Sequence, residues 1–241
     1  MSTHLQNSTG HPQAEQEHRR DTGSGVLRAG IFGISDGLVS NLALVMGVAG
    51  GIDHPDAIIV AGVAGLLAGS CSMAAGEYVS MATQRESMER QIELERSHIE
   101  QFPEEEERHL AELLEESGLD PVIAGDVART IHERGTDAAD FHALFELGIV
   151  PGQMGSPWAA SAISFFAFAL GAAIPLIPWL VSARALPMSL LLSALALLVV
   201  GGGATRVTNR SPVIGALRQL CIGVAAAGVT YGMGVWVGGF F

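Results

Sequence analysis

The sequence predicts an all-α membrane protein with five transmembrane helices and a cytoplasmic helical insert between the second and the third. Three observations lead there. The apolar residues lie in long blocks rather than short amphipathic periods, the acidic residues crowd into one interval, and that interval carries helix start and stop signals without a strand pattern. A hydrocarbon core about 30 Å thick takes roughly 20 apolar residues at a rise of 1.5 Å each. Five stretches reach that length, at 28–51, 57–82, 157–181, 187–206 and 213–239.

In chain order, residues 1–25 are polar and lack the apolar region of a cleaved signal peptide, so a disordered cytoplasmic tail is expected. Residues 26–82 hold the first two spans, 83–156 the insert, and 157–241 the remaining three spans. Arginine sets the orientation, because basic residues near a membrane favour the cytoplasmic side. Arg19, Arg20 and Arg28 precede the first span, Arg85 and Arg90 open the insert, and Arg206 and Arg210 separate the last two spans. The N-terminus and the insert are therefore expected inside. The outer loops carry only Arg184, and five spans would put the C-terminus outside.

Within the insert, no Gly or Pro interrupts Glu77 to Phe102, so one helix should run on from the second span. Pro103 stops it and suits the first turn of the next helix, where Glu104, Glu105 and Glu106 complement the positive end of the helix dipole. Gly118 closes that helix. A third starts at Asp120 as N-cap with Pro121 after it, and a fourth near Thr136.

The formal charge is −12, and 18 of the 25 acidic residues lie between Arg85 and Glu146 against six arginines. Such an insert repels nucleic acid and anionic headgroups and attracts cations. Cys71 and Cys221 fall in apolar segments, where a disulfide framework is not expected. The chain has no lysine and no targeting signal, which fits a bacterial inner membrane.

An ionised side chain at mid-bilayer costs at least about 2.5 kcal/mol, so one kept there implies use. Asp36 lies about 12 Å along a helix from Arg28, and Glu77 sits near the inner end of the second span. Stepping back by fours from Glu77 gives Met73, Gly69, Gly65 and Ala61, a face that is small in its outer half and offers a thioether and a carboxylate in its inner half. Small residues admit a neighbouring helix, and Met with Glu are a soft and a hard ligand for a divalent cation. The plainer alternatives are helix packing, a gap-filling Met73, and Asp36 capping a helix or pairing with Arg28.

In the insert, Glu95 with His98 and Glu106 with His109 repeat a Glu-x-x-His interval, which puts both groups on one helix face. Carboxylate and imidazole together suit Fe(II), Mn(II) and Zn(II), and this pair recurs in helical bundles that hold metals. A solvated acidic face is the competing interpretation. His132, with no carboxylate partner in the sequence pattern, is expected at the surface.

The stretches GISDGLVSNLALVMGVAGG (33–51) and AGLLAGSCSMAAGEYVSMATQRE (64–86), with FELG (145–148) and LGAAIPLIPWL (170–180), resemble the vacuolar iron transporter family, and DGLVSN its bacterial or nodulin-like branch. The resemblance implies a five-span homodimer that exports Fe(II), and often Mn(II), from the cytosol in exchange for protons. It implies a path lined by Asp36 and Met73, with Glu77 as a possible stand-in for a membrane carboxylate of plant members that is Gly65 here. It also implies a metal-binding insert, with ligands at positions matching Glu95, His98, Glu106, His109, His142 and Glu146. His98, His109 and His142 replace Glu, Glu and Met of plant members. His142 and Glu146 also share a helix face at i, i+4. The expected function is thus divalent metal transport, with metal, protons and membrane lipid as partners and no enzymatic activity. A membrane-tethered di-iron ferroxidase, using the two Glu-x-x-His pairs with Glu146 and either Glu112 or Glu116 as bridging carboxylates, or a metal store is the alternative.

Overall fold

The structure, a computed structural model, describes residues 12–134, 138–150, 152, 154–181, 185–207 and 211–240, excluding the side chains of 12–28 and 207. Thr136, Arg184 and Arg210 lie outside the described residues, as do the side chains of Arg19, Arg20 and Arg28. The chain forms α1 (Pro12–Gly51), α2 (Pro55–Gln101), α3 (Pro103–Glu116), α4 (Pro121–Glu133), α5 (Ala138–Phe145), α6 (Pro157–Ala173), α7 (Ile177–Val181), α8 (Ala185–Val207) and α9 (Pro212–Gly238). It divides into two units, one of residues 1–78 and 158–241 and the other of 79–157, and α2 contributes to both. The polar tail expected over 1–25 is helical from Pro12 onward, in keeping with the helix-favouring run QAEQEHRR.

The expected count of five spans is corrected to four. Among the described residues, the helices long and apolar enough to cross a membrane are Ala29–Gly51, Pro55–Gln101, Ala185–Arg206 and Pro212–Gly238. The stretch 157–181 breaks into the 17-residue α6 and the five-residue α7. Proline is the cause: Pro175 has no N–H to continue the ladder, and its ring crowds the carbonyl four residues back. Short turns from Ile174 to Gly171, Leu176 to Ala173 and Trp179 to Leu176 replace it. α6 alone reaches about 25 Å, short of the hydrocarbon core. With four such helices, the parity argument that placed the C-terminus outside loses its basis.

In the larger unit α1 packs along α9 and α8, and α8 along α9 and α7. Leu38, Leu42, Val45 and Met46 of α1 form its buried core with Ile58, Leu176, Leu197 and Ala227. Glycine allows the helix backbones to meet. A β-carbon at Gly234 would collide with the carbonyl oxygen of Gly47, and one at Gly51 would lie 2.9 Å from the carbonyl oxygen of Gly234. Close backbone approach of this kind is how helices associate where apolar side chains gain nothing by leaving lipid.

The smaller unit has its own apolar core. Leu110 and Leu114 of α3 pack on Ala124, Ala128 and Ile131 of α4 and on Ala138 of α5, while Ile92 of α2 meets Ala143 and Ile149. Pro103 and the acidic first turn open α3 as expected, and Gly118, at φ 98°, follows its end. Asp120 caps α4 by accepting from the backbone N–H of Val122 at 2.9 Å.

If α1 and α9 depend on backbone contact, Gly234→Ala should lower the thermal midpoint of the detergent-solubilised protein by the equivalent of about 1–3 kcal/mol. Gly232→Ala, at a position with nothing within 4 Å, should leave it unchanged. Equal effects would remove the packing argument.

Candidate metal centre

The first group of ligand atoms lies in the smaller unit. α2 supplies Glu95, α5 supplies His142, and Glu146 lies in the turn directly after α5; one ligand atom from each lies within 4.8 Å of the others. A single ion bound at about 2.1 Å would hold its ligands roughly 3.0–4.2 Å apart, so the set needs to close by about 1 Å or less. His142 is fully buried on α5, as are Ala139 and Ala143 near it. Its Nδ1 lies 3.0 Å from Glu95 Oε1, 3.8 Å from Glu106 Oε2 and 3.9 Å from Glu146 Oε2.

These contacts are not hydrogen bonds. Glu95 Oε1 and both ring nitrogens of His142 are buried without a hydrogen-bond partner. Buried polar groups are normally paired, because leaving one unpaired costs about 1–3 kcal/mol. Lone pairs that converge on one point and do not bond each other are what a cation would satisfy.

Electrostatics favours the same conclusion. Burial, with His132 and His109 nearby, lowers the His142 pKa to about 4, so the imidazole is neutral at physiological pH and keeps a lone pair for a ligand. Burial foremost, then the carboxylates of Glu146 and Glu106, raises the pKa of Glu95, while His98 and His109 oppose that shift. A divalent cation would relieve this crowding of negative charge.

The expected ligands therefore separate. Glu95, His142 and Glu146 come together. Glu106 borders them, and His109 Nε2 lies 3.9 Å from Glu146 Oε2. His98 is exposed and acts on Glu95 only through its charge. Glu112 and Glu116, the carboxylates a di-iron centre would draw on, are exposed on α3 and outside the group.

His132, expected at the surface, is instead half-buried beside the group. Its ring stands edge-on to that of His142, with centroids 5.3 Å apart, its Nδ1 donates to the Ala128 carbonyl at 3.1 Å, and its Nε2 is buried without a partner. The signal was present as a row at i, i+4, i+8: Ala124 and Ala128 are buried, and His132 continues that face.

The second group lies in the larger unit. A cavity of about 340 Å³ is lined by Asp36, Ser40 and Asn41 of α1 and by Gly65, Gly69 and Met73 of α2, among others. The antiparallel helices bring a carboxylate and a thioether to one space. Ser40 Oγ donates to Asp36 Oδ1 at 3.1 Å, which orients the carboxylate. Glu77, one turn beyond Met73, is half-buried and does not line the cavity. The alternative pairing of Asp36 with Arg28 falls on a side chain outside the described residues.

Long apolar helices, a carboxylate–thioether cavity and a buried carboxylate–imidazole cluster define a multi-pass membrane protein with the side chains to bind metal ions. The sequence profile of the VIT family matches residues 27–235. Vacuolar iron transporter 1 of Eucalyptus grandis is 30% identical, over 94% of this chain and 96% of that protein. The vacuolar iron transporter of Acanthamoeba castellanii is 35% identical, over 91% and 82%. The chain belongs to the VIT family, a family of transporters and not of catalytic enzymes.

The two shifted groups make opposite contributions to stability in the metal-free protein. The folded pKa of His142 lies below its ordinary 6.5, so unfolded chain takes up a proton that folded chain refuses, and stability falls as pH drops from 6.5 towards 4. Glu95, whose folded pKa is raised, stabilises at low pH and loses that contribution as pH rises through its folded value. Amide hydrogen exchange, corrected for intrinsic rates, should show protection of residues 88–149 weakening between pH 6.5 and 4, and His142→Leu should remove most of that weakening. The same loss in the variant would show that His142 is not its source.

Proposed function

We propose that the protein exports divalent metal, Fe(II) and Mn(II) foremost, from the cytosol in exchange for protons. The observation that carries this is the presence in one chain of two ligand groups of different kinds. Glu95, His142 and Glu146 bring one ligand atom each within 4.8 Å of the others, with Glu106 and His109 at their edge. Asp36 and Met73 share a cavity between apolar helices, with Glu77 beyond it. The relatives bear the name of iron transporters, which supports iron as a cargo here. Carboxylate, imidazole and thioether also accept Mn(II) and Zn(II), and the Irving–Williams order gives zinc at least equal affinity.

Protons compete with metal at every carboxylate and imidazole, which gives exchange a physical basis. In this reading the soluble unit collects metal on the cytosolic side, where arginines near the membrane also favour placing the N-terminus and the insert. The membrane is a bacterial inner membrane and the working form a homodimer. Only 17% of the apolar window of α2 is buried within the chain, leaving lipid and a second copy as its neighbours. The surplus of acidic residues argues against nucleic acid as a partner.

In proteoliposomes with an imposed pH gradient, Asp36→Ala should abolish Fe(II) and Mn(II) flux while Glu95→Ala with His142→Ala lowers flux only at low metal concentration. Wild-type flux in Asp36→Ala would remove the proposal.

A further inference from the structure

Asn41 is the one residue in the membrane cavity whose side chain is both fully enclosed by protein and left with an unused ligand atom among the described residues. It is 2% exposed, its Nδ2 donates to the Ala172 carbonyl at 2.6 Å, and its Oδ1 is buried without a hydrogen-bond partner. The amide cannot be turned the other way, since that would bring two acceptors together at 2.6 Å. The orientation of Oδ1 is therefore locked. It faces α2 at Gly65, where a β-carbon would stand 2.9 Å from it and would also collide with Leu44. As glycine, position 65 leaves that oxygen the space a side chain would crowd, beside the cavity that Asn41 lines with Asp36 and Met73.

We propose that Asn41 Oδ1 is a ligand for a dehydrating divalent cation, forming a second step in the path about 7.5 Å along α1 from Asp36. An acceptor buried unpaired destabilises the fold unless something satisfies it, and a cation does so without a proton. The amide oxygen is neutral, so it binds more weakly than a carboxylate and releases the ion more readily. It is also hard, which balances the soft sulfur of Met73 and favours Mn(II) or Fe(II) over a thiophilic ion. This inference rests on the reading of the cavity as the transport path.

The test uses the full chain in nanodiscs, with Glu95→Gln, His142→Gln and Glu146→Gln silencing the soluble cluster. Equilibrium binding is measured with Mn(II) and Cd(II). Asp36→Asn should abolish binding of both. Asn41→Leu should weaken Mn(II) by about tenfold or more, the scale of partners even outside the ligand shell, and weaken Cd(II) much less. A merely structural defect would weaken both alike, and that outcome, or no change, overturns the role of Asn41. If the parent binds neither ion, or Asp36→Asn binds as the parent does, the path reading fails and this inference with it. Should Asn41→Leu not fold, Asn41→Asp decides: added charge on the same oxygen must raise Mn(II) affinity relative to Cd(II), and an unchanged or lower ratio refutes the proposal.

Discussion

The smaller unit is organised around a neutral, buried imidazole held beside carboxylates. His142 is fully buried, and neither of its nitrogens has a hydrogen-bond partner, although Glu95 Oε1 is 3.0 Å away. That arrangement costs free energy in the metal-free fold, so it persists only because surrounding apolar contacts over-determine it. Ile92, Ala143 and Ile149 pack on one side, and Leu110, Leu114, Ala128 and Ala138 fix the neighbouring helices. Ligand geometry is thereby set by aliphatic packing rather than by the ligands themselves. Of the three, Glu146 is the exposed one.

The membrane unit solves a different problem. Lipid offers its helices no hydrophobic reason to associate, so Gly47, Gly51 and Gly234 supply close backbone contact. The same economy of volume at Gly65 and Gly69 leaves the cavity in which Asp36, Asn41 and Met73 meet. Small residues therefore serve both helix adhesion and the cavity.

Much of this could be read from sequence, and the failures share a cause. Helix starts at Pro103 and Pro121 and the long helix through Glu77 were visible because local chemistry decides them. The broken segment at Pro175 was missed because mean hydropathy does not register a lost N–H. Asp36, Met73, Glu95, His142 and Glu146 stood out as polar or soft groups at helical spacing or by resemblance. His98 shares the interval of Glu95, yet it stands about 60° round the helix from it and is exposed. His132 and Asn41 escaped notice because their significance is tertiary: each has one polar atom tied to a backbone carbonyl and the other turned inward unpaired.

The central claim is that a cation completes the His142 cluster through imidazole nitrogen as well as carboxylate oxygen. Electron spin echo measurements on the full-length protein loaded with one equivalent of Mn(II) test it directly. Modulation from a directly bound imidazole nitrogen is expected, and it should disappear in His142→Ala. A bound Mn(II) showing only oxygen and water ligands, or nitrogen modulation that survives in His142→Ala, would contradict it.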